Sequence, residues 1–299
     1  SLAELVVSRY NTLTQINADE AKRTFFTFLV EDFSPDVLAL KDAVTVYQES
    51  PDPISAQKVW DAAEAPRLDL FRSINLASDG IHTLLHMRAD LLRFKDTSLS
   101  SVEKDLEYLL SSWFNRGFLE LQSIDWQTPA KTLEKLIEYE AVHEIRGWDD
   151  LRRRLEHDRR CYGFFHPSLP DEPLIFVEVA LTERIPSSIA ELLTEGRTTL
   201  EVEMVKTAVF YSISNCQKGL TGISFGNLLI KQVVAELSQQ FPQISDFVTL
   251  SPIPGLNEWL SNQTGNTELS QIALEVLENR AKPQDLRAMA ASYLLNAKR

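Results

Sequence analysis

A polar, glycine-containing loop between an apolar strand and an apolar helix is the feature that most constrains the fold of this chain. Residues 208–213 form a continuous β-prone apolar run, which predicts a buried strand. The loop over residues 215–222 follows, and the next apolar run predicts a helix that continues to about Leu237. A second buried strand is predicted over residues 245–250, so the segment has the strand–helix–strand pattern of a parallel pair.

Three of the ten glycines in the chain, Gly219, Gly222 and Gly226, fall within eight residues of this segment. A strand that passes through such a turn into a helix leaves backbone N–H groups at the helix start without intrahelical partners. These donors and the helix dipole favour an anion, which makes a phosphate or pyrophosphate the candidate ligand. A purely structural turn, in which the glycines adopt positive φ, explains Gly219 and Gly222 about as well.

The rest of the chain divides into two parts at about residue 114. Residues 1–114 contain a single glycine, Gly80, and repeat apolar residues at helical spacing between proline and serine stop signals, which predicts a helical bundle. Residues 115–299 mix short β-prone runs with helices, including a predicted antiparallel hairpin over residues 161–181. The predicted fold class is therefore α+β, with an all-α N-terminal domain followed by a mixed α/β domain.

Composition and charge narrow the classes of function. The net charge of −13 over 299 residues argues against a nucleic-acid-binding protein, because a phosphate backbone requires a basic face. Cys161 and Cys216 are far apart and lack metal-type spacing, which favours a reducing compartment over a disulfide framework. No run has the length of a membrane span, and the N-terminus lacks the pattern of a signal peptide. We therefore expect no membrane partner and a cytoplasmic location.

Two clusters of polar residues have an ordinary structural interpretation. His82 and His86 are four residues apart, the spacing of a helical metal site, but no third ligand is apparent and packing between helices is favoured. The arginines at positions 152–154 and 159–160 form a basic cluster that is within reach of a phosphate in principle. Such a run is more typical of a solvated helix face.

Several longer segments of the chain are characteristic of a family. FYSIS at 210–214, QKGLTGISFGN at 217–227 and LSPIPG at 250–255, together with YEAVHEI at 139–145 and RRCYGFFHPSLPDEPL at 159–174, resemble the malonyl-CoA decarboxylase family. HMRADLL at 86–92 and WFNRGFLEL at 113–121 extend the resemblance more weakly into the N-terminal part. The family's catalytic domain is related to the GNAT acetyltransferases. The resemblance thus implies a GNAT-like domain over residues 115–299 and a helical domain over residues 1–114 that forms a homo-oligomer.

The resemblance also implies roles for individual residues. Ser251 matches the serine that the family pairs with a histidine in a catalytic dyad, and Ser212 matches a second catalytic serine near the acyl group. The segment that matches the family's substrate-binding loop comprises Thr221, Gly222, Ile223, Ser224, Phe225, Gly226 and Asn227. Malonyl-CoA and acetyl-CoA are the implied partners. No cofactor or metal is implied, because the thioester carbonyl of the substrate is itself the electron sink for decarboxylation.

The chain departs from the family pattern at two places. Some members carry a glutamate at the position of Ser224, so a role for that acid does not transfer to this chain. The family's histidine follows a helix of the ASYLLN type, and the chain ends at Arg299 within that helix. We therefore expect the C-terminal end of the domain to be truncated here. Two alternatives stay open: a GNAT-type acyltransferase that transfers an acyl group to an amine, and a non-catalytic acyl-CoA-binding protein.

Overall fold

The computed structural model of the chain describes residues 1–13, 18–140, 142–194, 196, 198–223, 228–251, 253, 255–262, 272–273, 275, 289–290 and 293. These residues form two compact units, Ser1–Val248 and Thr249–Arg299. Within the described residues, no helix combines the length and apolar character that a bilayer crossing requires.

The N-terminal part of the first unit is helical, as the sequence predicts. Its helices are α1 (Leu2–Asn11), α2 (Ala18–Glu31), α3 (Val37–Glu49), α4 (Pro53–Ala63), α5 (Pro66–Asn75), α6 (Gly80–Phe94) and α7 (Ser100–Trp113). Local sequence sets several of the starts. Asp36 accepts hydrogen bonds from two backbone amides of α3, and Asp52 forms a capping box with Ser55 while Pro53 occupies the first turn of α4.

A five-stranded sheet follows. Its strands are β1 (Glu120–Ile124), β2 (Arg159–Phe165), β3 (Ile175–Thr182), β4 (Thr207–Asn215) and β5 (Asp246–Thr249), and the order across the sheet is the order along the chain. The pairs β1–β2, β2–β3 and β3–β4 are antiparallel, which confirms the predicted hairpin. The remaining helices are α8 (Ala130–Tyr139), α9 (Trp148–Arg154), α10 (Ala190–Leu193), α11 (Leu228–Gln240) and α12 (Leu256–Ser261).

Strands β4 and β5 flank α11 along the chain, as the strand–helix–strand pattern predicts. The amides of Ser245 and Asp246 donate to the carbonyl of Lys206 at 2.9 and 3.2 Å. The two strands therefore begin side by side, which is the arrangement of a parallel pair. The α+β fold class predicted from the sequence, with a helical part followed by a mixed sheet, is confirmed, whereas the domain boundary at residue 114 stays a prediction.

Both faces of the sheet are covered by apolar side chains. One large core joins residues of the N-terminal helices, such as Leu84 and Leu106, to Val177 and Phe210 of the sheet. A smaller core on the opposite face packs residues of α8 and α9 against others of the sheet, including Phe176. A buried polar side chain of β3 or β4 must therefore find a hydrogen-bonding partner within the protein.

A β-bulge divides β4 between these two cores. Val179 pairs with Phe210 and Glu178 pairs with Ser212, so Tyr211 is an extra residue on β4. Such an insertion reverses the side-chain alternation beyond it. Phe210 therefore lies in the large core, whereas Ser212 and Ser214 after the bulge lie on the opposite face, where both contact Glu140 at the end of α8.

Candidate active site

The predicted substrate-binding loop begins directly after β4. The 3₁₀ turn Lys218–Leu220 follows the strand, and Gly222 adopts a φ of 84°, a left-handed conformation that favours glycine. Thr221 and Gly222 are exposed, and Ile223 is half-buried. The predicted loop residues Ser224, Phe225, Gly226 and Asn227 lie outside the described residues. Helix α11 starts next, so the strand, turn and helix occur in the predicted order.

Helix α6 of the helical part packs against this loop. A Cβ atom added to Gly219 would lie 2.2 Å from the carbonyl oxygen of Leu85, so the turn packs directly on the backbone of α6. One helical turn further on, the Nη1 atom of Arg88 donates to the carbonyl oxygens of Gly219 and Thr221 at 2.7 and 2.8 Å. Arg88 has no role among the predictions made from the sequence. The signal for it was a charged residue among the apolar positions of α6.

Ser212 lies in a buried hydrogen-bond network centred on Glu140, a residue that follows α8. Ser212 is 1% exposed, and its hydroxyl lies 2.8 Å from both carboxylate oxygens of Glu140. Ser214 donates to the same carboxylate at 2.9 Å, and the amides of Val142 and His143 donate to it at 2.9 and 2.6 Å. The Ser212 proton is therefore directed at Glu140. Glu140 falls within the YEAVHEI segment, but sequence reasoning assigned it no function.

A second buried cluster lies beside this network, where Arg154 of α9 contacts Glu178 of β3. The Arg154 Nη1 atom donates to the Glu178 carboxylate at 2.9 Å, and both residues are buried. Burial outweighs this partner and raises the pKa of Glu178 to about 8. One oxygen of Glu178, Nε of Arg154 and the hydroxyl of Tyr211 are buried with no hydrogen-bond partner. The hydrogen bonding of the buried Arg154–Glu178 pair is therefore incomplete.

The predicted solvated face of the arginine cluster is wrong for two of its members. Arg154 is bonded to Glu178, and Arg159 donates to the carbonyls of Asp158 and Leu192 while it is 4% exposed. Each guanidinium finds buried oxygen acceptors, which compensates for the loss of water. Lys218 and Lys231, on either side of the loop, are exposed.

His82 is part of a polar contact between α6, the β2–β3 connection and the start of the loop. Its Nε2 atom lies 3.7 Å from Oε1 of Glu172, whose other oxygen accepts a hydrogen bond from Gln217 at 3.1 Å. The interaction with His82 lowers the pKa of Glu172 to about 2, and the same interaction raises the pKa of His82. The rings of His82 and His86 are in edge contact, with centroids 4.2 Å apart. Among the described residues, no group of three or more His, Cys, Asp or Glu side chains is arranged to hold a metal ion.

The two cysteines are buried, and burial raises the pKa of both thiols. Since the thiolate is the reactive form, neither Cys161 nor Cys216 has the properties of a nucleophile.

Ser251 follows β5 and belongs to the second compact unit. It is exposed, in contrast to the buried Ser212. Gly255 adopts a φ of 74° just before α12, and a Cβ atom there would lie 2.7 Å from the hydroxyl of Tyr293. Pro252 and Pro254 lie outside the described residues. The catalytic role of Ser251 and the substrate-binding role of the loop stay predictions.

Comparison with known proteins identifies the family. The model described as "Malonyl-CoA decarboxylase N-terminal domain" matches residues 33–114, and the one described as "Malonyl-CoA decarboxylase C-terminal domain" matches residues 117–298. Similar curated proteins include the mitochondrial malonyl-CoA decarboxylases of Anser anser anser, 42% identical over 67% of this chain and 43% of that protein, and of Mus musculus, 42% identical over 64% and 40%. The chain thus spans less than half the length of these curated relatives.

Solved structures give the same result. The malonyl-CoA decarboxylase of Rhodopseudomonas palustris is 46% identical, with a TM-score of 0.83 over 93% of this chain and 69% of that one. The enzyme of Agrobacterium vitis is 45% identical, with a TM-score of 0.85 over 97% of this chain and 72% of that one. The chain therefore belongs to the malonyl-CoA decarboxylase family.

Proposed function

We propose that this protein is a malonyl-CoA decarboxylase, a carboxy-lyase that converts malonyl-CoA to acetyl-CoA and CO₂ and serves fatty acid metabolism. The observation that carries the proposal is the match of both family domains, over residues 33–114 and 117–298. The described geometry supports it, because a buried strand leads into an exposed turn with a left-handed glycine ahead of a 13-residue helix. This is the arrangement that binds a pyrophosphate.

Loss of CO₂ from malonyl-CoA makes three demands on the protein. It must hold the carboxylate out of the plane of the thioester, stabilise the enolate oxygen that develops, and deliver a proton to carbon. One well-placed donor to a developing oxyanion contributes about 3–4 kcal/mol. In this proposal Ser251 is that donor, since its hydroxyl is exposed at the end of β5. The thioester delocalises the charge, so the chemistry requires no added cofactor.

The loop binds the coenzyme in this proposal. Residues 221–227 bind the pyrophosphate of CoA, and the dipole of α11 favours the negative charge. Ser212 lies near the acyl group of the substrate in this proposal. Its hydroxyl donates to the carboxylate of Glu140, so we infer that the two residues function as a pair.

Incubation of the full-length protein with malonyl-CoA, without any acceptor amine, tests the activity. Release of CO₂ together with acetyl-CoA supports the decarboxylase, whereas turnover only in the presence of an amine identifies an acyltransferase. Binding without turnover identifies a non-catalytic acyl-CoA-binding protein.

Two variants then test the site residues. Ser251→Ala is expected to lower kcat by a factor of about 100 or more, because an oxyanion donor is lost. An unchanged rate removes Ser251 from the mechanism. Gly222→Val is expected to abolish CoA binding in calorimetry, because Cβ opposes positive φ and the side chain fills the anion site. Retained affinity would place the coenzyme elsewhere.

We also propose that the helical part forms a homo-oligomer, with a second copy covering the hairpin α3–α4. No residue of α3 is buried, and α4 buries only Ser55. The large apolar side chains Val37, Leu38, Ile54 and Trp60 are each at least 64% exposed. Several strongly exposed large apolar side chains on one pair of helices are typical of a protein–protein interface.

Sedimentation velocity of Trp60→Ser and Ile54→Ser tests this interface. Both variants are expected to sediment as smaller species than the wild type. Leu76→Ser is the matched control, since Leu76 is equally apolar and 87% exposed but lies outside the hairpin. An unchanged sedimentation coefficient in the hairpin variants would contradict the proposal.

For the location, we propose a reducing compartment, with the cytoplasm as the expected one. The two buried free thiols support it. The relatives from Anser anser anser and Mus musculus are named mitochondrial, so fractionation of the source cells is the deciding measurement.

A further inference from the structure

Arg88 is a charged residue buried at the junction of α6 and the loop after β4. Its side chain is 2% exposed, although its neighbours Leu84, Leu85 and Leu91 belong to the apolar core. A buried guanidinium is retained only where its donors find acceptors. Its partners therefore indicate what it does.

The donors of Arg88 divide between carboxylates and the loop. Nε and Nη2 lie 3.0 and 2.9 Å from Oε1 of Glu103, and Nη2 lies 3.6 Å from Glu107. Nη1 donates to the carbonyls of Gly219 and Thr221. The positive charge of Arg88 is thus compensated by two neighbouring carboxylates, and its side chain is not accessible to solvent. Arg88 cannot serve as a direct ligand of a phosphate, and its effect on the loop is exerted through the two carbonyls.

Because Arg88 holds these two carbonyls in place, it also fixes the direction of a backbone N–H group in the loop. In a trans peptide, the C=O and N–H groups point in opposite directions. The peptide that carries the Thr221 carbonyl also carries the N–H of Gly222, so this N–H points away from Arg88. The peptide that carries the Gly219 carbonyl has its own N–H, that of Leu220, bonded to Gln217 at 2.9 Å. The Gly222 amide is therefore the donor whose orientation Arg88 sets.

We propose that Arg88 is a positioning residue for the coenzyme: it anchors the loop to α6 so that the Gly222 amide is preorganised to donate to a phosphate oxygen. The inference rests on the proposed role of the loop in binding CoA. It also gives the helical part an indirect share in substrate binding, in addition to its proposed role in assembly. A fixed donor avoids the ordering cost that a mobile loop incurs on binding.

A matched pair of substitutions separates this role from general stability. Arg67 is also a buried arginine of the helical part, bonded to Asp105 at 2.6 Å and to the carbonyls of Leu29 and Phe33. Its carbonyl acceptors lie far from the loop in the chain. Arg88→Lys and Arg67→Lys each retain the charge and lose the forked geometry. Both are expected to lower the melting temperature, and only Arg88→Lys is expected to alter the loop.

The experiment measures two properties of the wild type and both variants. Calorimetry with coenzyme A is expected to give a Kd about tenfold or more higher for Arg88→Lys, the factor lost with roughly one charge-assisted hydrogen bond, and an unchanged Kd for Arg67→Lys. Hydrogen exchange without coenzyme is expected to show faster exchange of residues 217–223 in Arg88→Lys alone. If Arg88→Lys does not fold, Glu103→Gln, which keeps an acceptor for Nε, is expected to give the same effects more weakly.

The possible outcomes distinguish the two proposals. If the wild type binds coenzyme A and Arg88→Lys, or Glu103→Gln in its place, behaves like Arg67→Lys in both measurements, the positioning role is overturned while the coenzyme site stands. If the wild type does not bind coenzyme A, the coenzyme site is wrong and the positioning role for a coenzyme is overturned with it. Faster loop exchange together with weaker binding supports both.

Discussion

Substitution of Glu140 by alanine tests the buried network around Ser212 most directly. The carboxylate accepts hydrogen bonds from the hydroxyls of Ser212 and Ser214 and from the amides of Val142 and His143. Both serines are buried, whereas the two amides belong to half-buried residues. Alanine removes every one of these acceptors and leaves the donors in place.

The expected loss of folding free energy depends on which other acceptor each of these donors can reach. The two hydroxyl oxygens are 3.3 Å apart, so the Ser212 hydroxyl can donate to Ser214 instead, but the buried hydroxyl bonds to a charged carboxylate are lost, at about 1–3 kcal/mol. The two amides are close enough to solvent to exchange the carboxylate for water, at about 0.5–1.5 kcal/mol each. We therefore expect Glu140→Ala to lower the free energy of unfolding by about 3 kcal/mol.

Glu140→Gln is the matched control, because the geometry lets glutamine keep the network. Both amides donate to Oε1, where the glutamine oxygen can sit, and Ser214 donates to Oε2, where the glutamine NH₂ can donate to the serine instead. We expect a loss below about 1 kcal/mol. The free energies come from urea unfolding monitored by tryptophan fluorescence. If glutamine costs as much as alanine, the negative charge and not the set of acceptors stabilises the site, and our reasoning is refuted.

Two further predictions concern the loop and its contact with α6. Gly219→Ala is expected to destabilise the protein by about 1–3 kcal/mol, because the new Cβ would lie 2.2 Å from the carbonyl oxygen of Leu85. Equal melting temperatures for the variant and the wild type would contradict this contact. The second prediction concerns His82 and Glu172. The pKa of His82 is raised, so the stability that His82 contributes is complete below pH 6.5, the pKa of an unfolded histidine, and is lost as pH rises through the folded pKa. The pKa of Glu172 is lowered to about 2, so the ion pair weakens at the acid end only as pH falls below about 4.5. His82→Gln is therefore expected to cost up to about 1 kcal/mol in urea unfolding at pH 5.5 and less at pH 8.5, and a cost that grows with pH would refute the ion pair.

Local patterns were sufficient to predict most of the secondary structure. The strand predicted over 208–213 occurs as Thr207–Asn215, and the strand predicted over 245–250 occurs as Asp246–Thr249. These predictions succeed because apolar period, glycine and proline act within a few residues of one another. Boundaries were less accurate. The helix predicted to continue to about Leu237 ends at Gln240, and the strand predicted over residues 245–250 is one residue shorter at each end.

The buried polar contacts of the site could not be predicted in the same way. Arg88 bonds to carbonyls 131 and 133 residues further along the chain, and Ser212 bonds to a carboxylate 72 residues before it. No local pattern specifies such partners, since they depend on which elements the fold brings together. The sequence does show that a partner is required, because a charged residue on an apolar helix face must be neutralised when that face is buried. Arg88 was therefore detectable as an anomaly, whereas its acceptors were not.

The bulge at Tyr211 shows why strand periodicity alone places the predicted catalytic serine on the wrong face. Strict alternation puts Ser212 on the same side of β4 as Ala208 and Phe210, within the large core shared with the N-terminal helices. The extra residue turns the rest of the strand over, so Ser212 pairs with Glu178 and meets Glu140 beside α8. Removing the bulge would bury the Ser212 hydroxyl among apolar side chains with no acceptor. Because of the bulge, the first half of β4 packs into the large core shared with the N-terminal helices, and its second half supplies polar groups to the candidate site.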